Sequence, residues 1–429
     1  MEARSKAGLS VPCKSLANIG MNRLSKKDLK NIQEDFNYNG VADDKGAQLI
    51  AIVIGEYSMV SSSQFYWVND RLQEAVAAEE DEPFGGVCIA MFGDPGQLPP
   101  VGGASLWRSS GDKSKTKLVG VPYEGHKLYM GIETVMELSV VRRQSGSYRD
   151  ALMRLRDAKT TYEDWLNFWN ENCSLEGMGM RFDEFLNDSN VLFLFFNDED
   201  CLRRSKERIK SLNQPIVRIE AEHDDVQDSK SSSKSSEACG DLVKTLYIAV
   251  GCKAMLRRSL ATVKGLVNGS VGVVKDIIYD KDADPLRFIT PTSIVVEFES
   301  YTGSPFFLGE GREKWIPLRP QKRRVDRVKQ AFRRQLPICL AYAITGHKSQ
   351  GMTIKGKVVV EIEDKEPTPG YLYVVCSRAT VIENLCLGKA RTYDRWSTKL
   401  QTKAMELRLL EDDRLRILAT KTKSFFEIE

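Results

Sequence analysis

The sequence predicts an α/β protein of more than one domain, and three observations carry that expectation. Short apolar runs are each followed by polar, helix-like segments, the rhythm of strands alternating with helices. The chain has 429 residues, whereas single cores rarely grow past about 250–300 residues. Apolar residues make up 42 % and charged residues 28 %, which suits a sizeable core beneath a polar surface.

Taken in order, Ser25–Phe36 has helical spacing with Ser25 as N-cap and Asp28 in the first turn. The runs Leu49–Ile54, Val87–Phe92, Val191–Phe196 and Val358–Ile362 read as strands buried on both faces, as in a parallel sheet. Arg149–Asp157 and Leu202–Leu212 carry helical spacing. Between Ala221 and Gly240 the chain turns polar and Ser-rich, the composition of a flexible surface segment. From Tyr247 to Phe298 the texture becomes β-rich with glycines at turns, Asn268-Gly269 being a strong tight-turn signal; this stretch reads as a small β-barrel inserted into a second α/β domain. After Ala390 a mixed-charge, helix-like tail closes the chain.

Composition excludes several classes. Lys plus Arg is 62 and Asp plus Glu 59, a net charge of +3, which rules out a polycationic tail protein but leaves room for a basic groove on a neutral body. No apolar run approaches the roughly 18–20 residues that span a bilayer, and the start lacks an apolar signal core, so neither a membrane nor secretion is expected. Nine cysteines without a C-x-x-C pair and three histidines argue for reduced, mostly buried thiols inside a cell, against a zinc site or a disulfide scaffold.

The motifs point to nucleotide chemistry. In QLIAIVIGEYSMVSS a strand runs into Glu56 and a small polar turn. Nucleotide hydrolases use such a strand end to hold carboxylates against Mg²⁺ and the attacking water. Glu56 is placed to orient or deprotonate that water, while Gly55 stands where a Mg²⁺-holding Asp is expected; alternatively Glu56 is a surface acid at a strand end. A second strand runs into GDPGQLPPV, which sets Asp94 and Gln97 beside the first strand's end, Gln97 as a sensor of a terminal phosphate. The alternative is a turn stiffened by Pro95, Pro99 and Pro100. In GHKSQGMT, the residues Thr345, His347, Lys348, Ser349 and Gln350 supply short-reach or flexible donors on one loop, suited to sugar and phosphate contacts along a single strand; a plain strand-to-helix turn is the alternative. The runs Lys322–Arg324 and Arg333–Arg334 are either solvated faces or extensions of a positive groove. Trp107, Trp165, Trp169 and Trp315 are expected to pack rather than to stack on bases.

GEYSMVSS, GDPGQLPPV, VVRRQ at 140–144, AYAITGHKSQGMT at 341–353 and YVVCSRAT at 373–380 come in one order. Together they resemble the PIF-type, RecD-like 5′-to-3′ DNA helicases of superfamily 1B, a group that includes the helitron-transposon helicases. The resemblance covers roughly Gly8 to Leu387. It implies two RecA-like motor domains of the P-loop NTPase fold, the first incomplete, with the inserted small β-barrel. The implied spans are 1–140 for the first motor domain, 141–246 with 335–392 for the second, 247–334 for the barrel and 393–429 for a helical tail. It implies Glu56 as catalytic glutamate, Gln97 as γ-phosphate sensor, Arg143 as the arginine reaching the phosphates and Arg378 as arginine finger. Asp94, Gln350 and Gly351 are implied on the nucleotide side, and Thr345, His347, Lys348, Ser349 and Gln350 on single-stranded DNA. ATP and Mg²⁺ are the implied cofactors. Single-stranded and forked DNA are the implied partners of a monomer acting in replication, repair, recombination or telomere maintenance, in the nucleus rather than the mitochondrion.

One family element has no clear match. A phosphate loop reads G-x-x-x-x-G-K-[ST] after a strand. The nearest string, GLSVPCKS at 8–15, has Cys13 at the second glycine and Pro12 in the loop. GLSVPCKSLANIG better resembles the following family segment, which contacts single-stranded DNA. The expectation is a helicase homologue truncated at its N-terminus, with turnover in doubt for want of the loop and the magnesium Asp; a non-hydrolysing DNA-binding relic or a gene-model fragment is the alternative.

Overall fold

The computed structural model describes residues 51–76, 82–108, 119–170, 190–224, 236–280, 290–325, 331–354, 356–364, 367–397 and 400–426, with a few single positions between 171 and 189. The expected helix at 25–36 and the strings at 8–20 lie outside the described residues. Two compact units divide the chain, one within Met1–Phe182, Ser349–Lys355 and Ile362–Glu429, the other within Asp183–Lys348 and Gly356–Glu361.

In the first unit β1 (Ala51–Gly55) and β2 (Cys88–Phe92) pair in parallel, Ala51 opposite Cys88 and Gly55 opposite Phe92. Helix α1 (Ser62–Val76) follows β1. A capping box starts it: Gln64 Oε1 accepts from Ser61 N at 2.8 Å, and Ser61 Oγ accepts from Gln64 N at 3.3 Å. Helix α2 (Val121–Met130) packs on α1, with Gly125 so close to Ser62 O that a Cβ would lie 1.8 Å from it. Ile54, Phe65, Val68, Leu72, Phe84 and Tyr129 form this unit's core beside β1. The expectation of strands buried on both faces fails here. Along β1 exposure alternates, Ile54 at 1 % and Val53 at 46 %, and Phe92 in β2 is 58 % exposed. Among the described residues the helices cover one face of the pair, and side chains alternate along the strand between that face and the other. Helix α3 (Gly146–Arg156) fits the expected 149–157 segment.

The second unit opens with β3 (Leu192–Phe195) and α4 (Asp198–Lys210), which starts four residues earlier than its spacing suggested because Asn197 caps the Asp200 amide at 2.8 Å. Strands β4 (Lys253–Leu256), β5 (Val271–Ile278), β6 (Ser293–Glu297) and β7 (Trp315–Leu318) run antiparallel, and β4 also pairs with a later strand at Ile338–Leu340. Val267–Ser270 forms the expected tight turn, with Gly269 at φ 92°. Strands β8 (Gln321–Arg324) and β9 (Phe332–Gln335) pair, followed by β10 (Ile338–Leu340) and β11 (Ala343–Thr345). Strand β3 lies between β11 and β12 (Val358–Val360), parallel to both. Here burial on both faces holds: Val358, Val359 and Val360 are fully buried.

From Ile362 the chain is again in the first unit, forms a short helix at Tyr371–Cys376 and ends in α5 (Lys403–Phe426), the expected helical tail. Of the tryptophans, Trp169 is buried and stacks on Trp396 at 4.8 Å, and Trp165 donates to Arg391 O at 2.9 Å. Of seven described cysteines five are buried, and none of the seven is in a disulfide. Among the described residues no helix is long and apolar enough to cross a membrane, and no group of three metal-ligating side chains occurs.

Candidate active site

Glu56 ends β1 in the left-handed region, φ 54° and ψ 45°, unusual for a residue with a side chain. The following residues wind into one 3-10 turn, Tyr57–Met59. This twist carries the carboxylate off the strand axis, where Gln350 Nε2 donates to Glu56 Oε2 at 2.9 Å and reaches Ser58 Oγ at 3.4 Å. Gly351 has φ 79°, and a Cβ there would sit 3.4 Å from Glu56 Oε1, so the backbone bends close to the carboxylate. Two motifs 294 residues apart thus meet in the first unit.

The GDPGQ string is a tight turn. Gln97 N donates to Asp94 O at 3.0 Å and Gly96 N to Asp94 Oδ1 at 2.7 Å. Gly96 is required by packing, since a Cβ there would lie 2.4 Å from Arg156 Nε. Burial pushes Asp94 up, but the Arg156 guanidinium, bonded through Nε at 3.0 Å and Nη2 at 2.6 Å, holds the carboxyl below its usual range. Gln97 Oε1 is buried without a hydrogen-bond partner, as is Gln350 Oε1.

The two arginines singled out by sequence share Ser377. Arg143 donates through Nε to Thr353 Oγ1 at 3.0 Å and through Nη1 to Ser377 O at 3.4 Å, leaving its side chain half-exposed. Arg378 is 1 % exposed. Its donors go to Val374 O at 2.7 Å, Met352 O at 3.0 Å, Ser349 O at 3.3 Å and Ser377 Oγ at 2.7 Å. These are neutral acceptors; among the described residues no carboxylate hydrogen-bonds it. Burial, with the Arg143 charge adding to it, pushes Arg378 down to about 10. A buried guanidinium with no bonded counter-ion attracts an anion.

The rest of the GHKSQGMT string falls partly in the second unit. Thr345 is buried and its Oγ1 accepts from Lys348 N at 3.3 Å. His347 lies 5.9 Å from the Phe196 ring, and burial lowers its pKa. Lys348 Nζ pairs with Asp198 at 2.5 Å. Ser349, in the first unit, is fully buried. Of the five side chains named for DNA, Thr345 and Ser349 face the protein interior and Gln350 faces Glu56. The basic runs lie on β8 and β9: Lys322 pairs with Asp224 at 2.5 Å, Arg334 with Glu222 at 2.8 Å, and Arg333 is buried. Much of that charge is neutralised locally.

Sequence reasoning missed three residues. Arg156 binds Asp412 through Nη1 and Nη2, both at 2.9 Å, as well as Asp94. Arg408 donates to Gly96 O at 2.9 Å and also to Arg156 O. None sits in a recognisable string, and partners 62 to 312 residues away leave no local signal.

Arg143 and Arg378 are cations that attract an anion, and the buried Oε1 atoms of Gln97 and Gln350 are unfilled acceptors. Among the described residues no carboxylate cluster that would hold Mg²⁺ accompanies them.

No family model matches the chain. Curated relatives do. The chain is 29 % identical over 341 residues to "ATP-dependent DNA helicase PIF1" of Danio rerio, covering 78 % of the chain and 45 % of that protein. The Homo sapiens protein of that name is 25 % identical over 340 residues, 78 % of the chain and 45 % of it. For Campylobacter jejuni Pif1 the values are 27 % over 340 residues, 77 % and 67 %. The chain is similar in sequence to PIF1-type helicases. It spans less than half the length of the vertebrate relatives it matches. Solved PIF1-type structures have the same fold. Candida albicans Pif1 superposes with a TM-score of 0.62 at 20 % identity, covering 93 % of the chain and 84 % of its own. Pif1 from Bacteroides in complex with ADP-AlF3 and ssDNA gives 0.61 at 19 %, covering 94 % and 82 %. This agrees with the α/β class and RecA-like motor architecture expected from sequence.

Proposed function

We propose that the chain carries the hydrolysis and relay half of an ATP-driven, 5′-to-3′ DNA helicase, acting on single-stranded and forked DNA inside the cell. The observation that carries this reading is the bond from Gln350 to Glu56, which ties the string expected on DNA to the expected catalytic carboxylate. ATP, when bound, supplies the phosphoryl group and the free energy of its transfer. Glu56, oriented by Gln350, takes the proton of the attacking water; Gln97 senses the terminal phosphate; Arg143 and Arg378 neutralise charge growing on its oxygens, a contribution that reaches ~10³–10⁵ in rate for an arginine finger. Asp94 and Gly351 shape the pocket. Lys348 and His347 meet the strand, while Thr345 and Ser349 build the loop. The spans 1–140, 141–246 with 335–392, 247–334 and 393–429 as two motor domains, barrel and tail belong to the same proposal, as do a monomeric state, a Mg²⁺ requirement and the nuclear address.

The test is DNA-stimulated ATP hydrolysis by the purified chain and by Glu56→Gln. Turnover that Glu56→Gln abolishes supports the reading; turnover that survives it sinks the assignment of Glu56. A second reading is favoured by Gly55 at the expected magnesium position: a single-strand-binding protein without turnover. It predicts background ATPase together with DNA affinity that falls steeply with salt.

A further inference from the structure

The Asp94–Gln97 turn is held from outside by the C-terminal helix. Arg408 of α5 donates to Gly96 O at 2.9 Å, and Asp412, one turn on, takes both Arg156 Nη groups at 2.9 Å. Arg156 in turn grips Asp94, whose Oδ1 accepts from Gly96 N at 2.7 Å. Further along, Glu411 accepts from Tyr129 OH at 2.6 Å and is clasped by Arg414, and Thr422 Oγ1 accepts from Val135 N at 3.0 Å. Arg408 is 2 % exposed, Glu411 and Asp412 each 5 %. Burying so many charges on one helix costs several kcal/mol per ion before pairing, and apolar residues of similar volume often do as well or better for stability. What the ions supply is geometry, because each fork fits one register of helix against turn.

We propose that α5 is a latch that sets the position of Gln97, with Arg156, Arg408 and Asp412 as positioning residues. The functional half of this rests on Gln97 sensing a terminal phosphate, as in the preceding section. The latch itself does not. Two substitutions probe it in the full chain, Arg408→Gln and the near-isosteric Asp412→Asn, with Thr422→Ala at the far end of α5 as control.

Hydrogen exchange of a peptide covering 93–98 is read first. The latch predicts that the Gly96 and Gln97 amides exchange about tenfold faster in both variants, and unchanged in the control and in β3, since one charge-assisted bond closing a local opening is lost. Unchanged exchange at 93–98 in both variants overturns the latch. Titration with a fluorescent ATP analogue and its ADP counterpart is read second. Positioning predicts that the preference for ATP over ADP shrinks toward one, that ADP affinity is unaltered, and that Arg408→Lys restores part of the preference. Faster exchange with an intact preference makes α5 a mere prop and overturns the positioning role. Should the wild-type chain bind neither analogue, the nucleotide reading falls while the exchange result still decides whether the latch exists.

Discussion

Replacing Arg156 by Met is the most informative single perturbation. The guanidinium makes five hydrogen bonds to three carboxylates: Asp94 at 2.6 and 3.0 Å, Asp412 at 2.9 Å twice, and Asp157 at 2.7 Å. Its side chain is 9 % exposed, that of Asp412 6 % and that of Asp94 24 %. Met fills similar volume but strands three carboxylates, and breaking a buried pair costs about 3–5 kcal/mol. Urea unfolding followed by tryptophan fluorescence reads this, because Trp169 and Trp396 stack within the same unit. The pH dependence has a definite sign. In the wild type Asp94 titrates below its unfolded value of about 3.9, so its contribution is present above that value and lost as pH falls through the lower folded pKa. Without Arg156, burial raises the Asp94 pKa above the unfolded value. The penalty is then greatest near neutrality and is relieved by acidification. Hence the gap between wild type and Arg156→Met narrows from pH 7 to pH 4, and Asp94→Asn added to Arg156→Met recovers part of the loss. A gap below about 1 kcal/mol that does not change with pH would refute the reasoning, since that is how a solvated ion pair behaves.

Three further outcomes are expected. Glu56→Gly is about 1 kcal/mol more stable in thermal melts than Glu56→Ala, since both lose the Gln350 bond and only Gly accepts the left-handed backbone without strain; equal stabilities would mean that the backbone there is unstrained. Lys348→Ala weakens single-stranded DNA binding and lowers the slope of log affinity against log salt by about one; an unchanged slope would remove Lys348 from the strand. Asp198→Asn frees Lys348 from its 2.5 Å ion pair and tightens the same binding, measured by fluorescence anisotropy.

Much of the fold was legible because its cues are local. Apolar runs located β2, β3 and β12, helical spacing located most of α4 but not its Asn197 cap, and Asn268-Gly269 located a turn. The one-sided exposure of β1 and β2 was not, because a short apolar run looks alike whether one face or both are covered. At the site, Glu56, Gln97, Arg143, Gln350 and Arg378 were named from ordered strings. Their partners were not. Ser377 serves Arg143 and Arg378 through its carbonyl and its hydroxyl respectively, and the carbonyl is invisible in sequence. Arg156, Arg408 and Asp412 look like ordinary charges on amphipathic helices until distant segments meet. Lys348 was named as a short-reach or flexible donor, and the acid that pairs with it lies 150 residues away in sequence.

The meeting of Glu56 and Gln350 is tested most directly by a double-mutant cycle on urea stability, using Glu56→Ala, Gln350→Ala and both together. A direct bond between them predicts a coupling of about 0.5–3 kcal/mol. Effects that add to within about 0.3–0.5 kcal/mol, as for residues that do not touch, would contradict it.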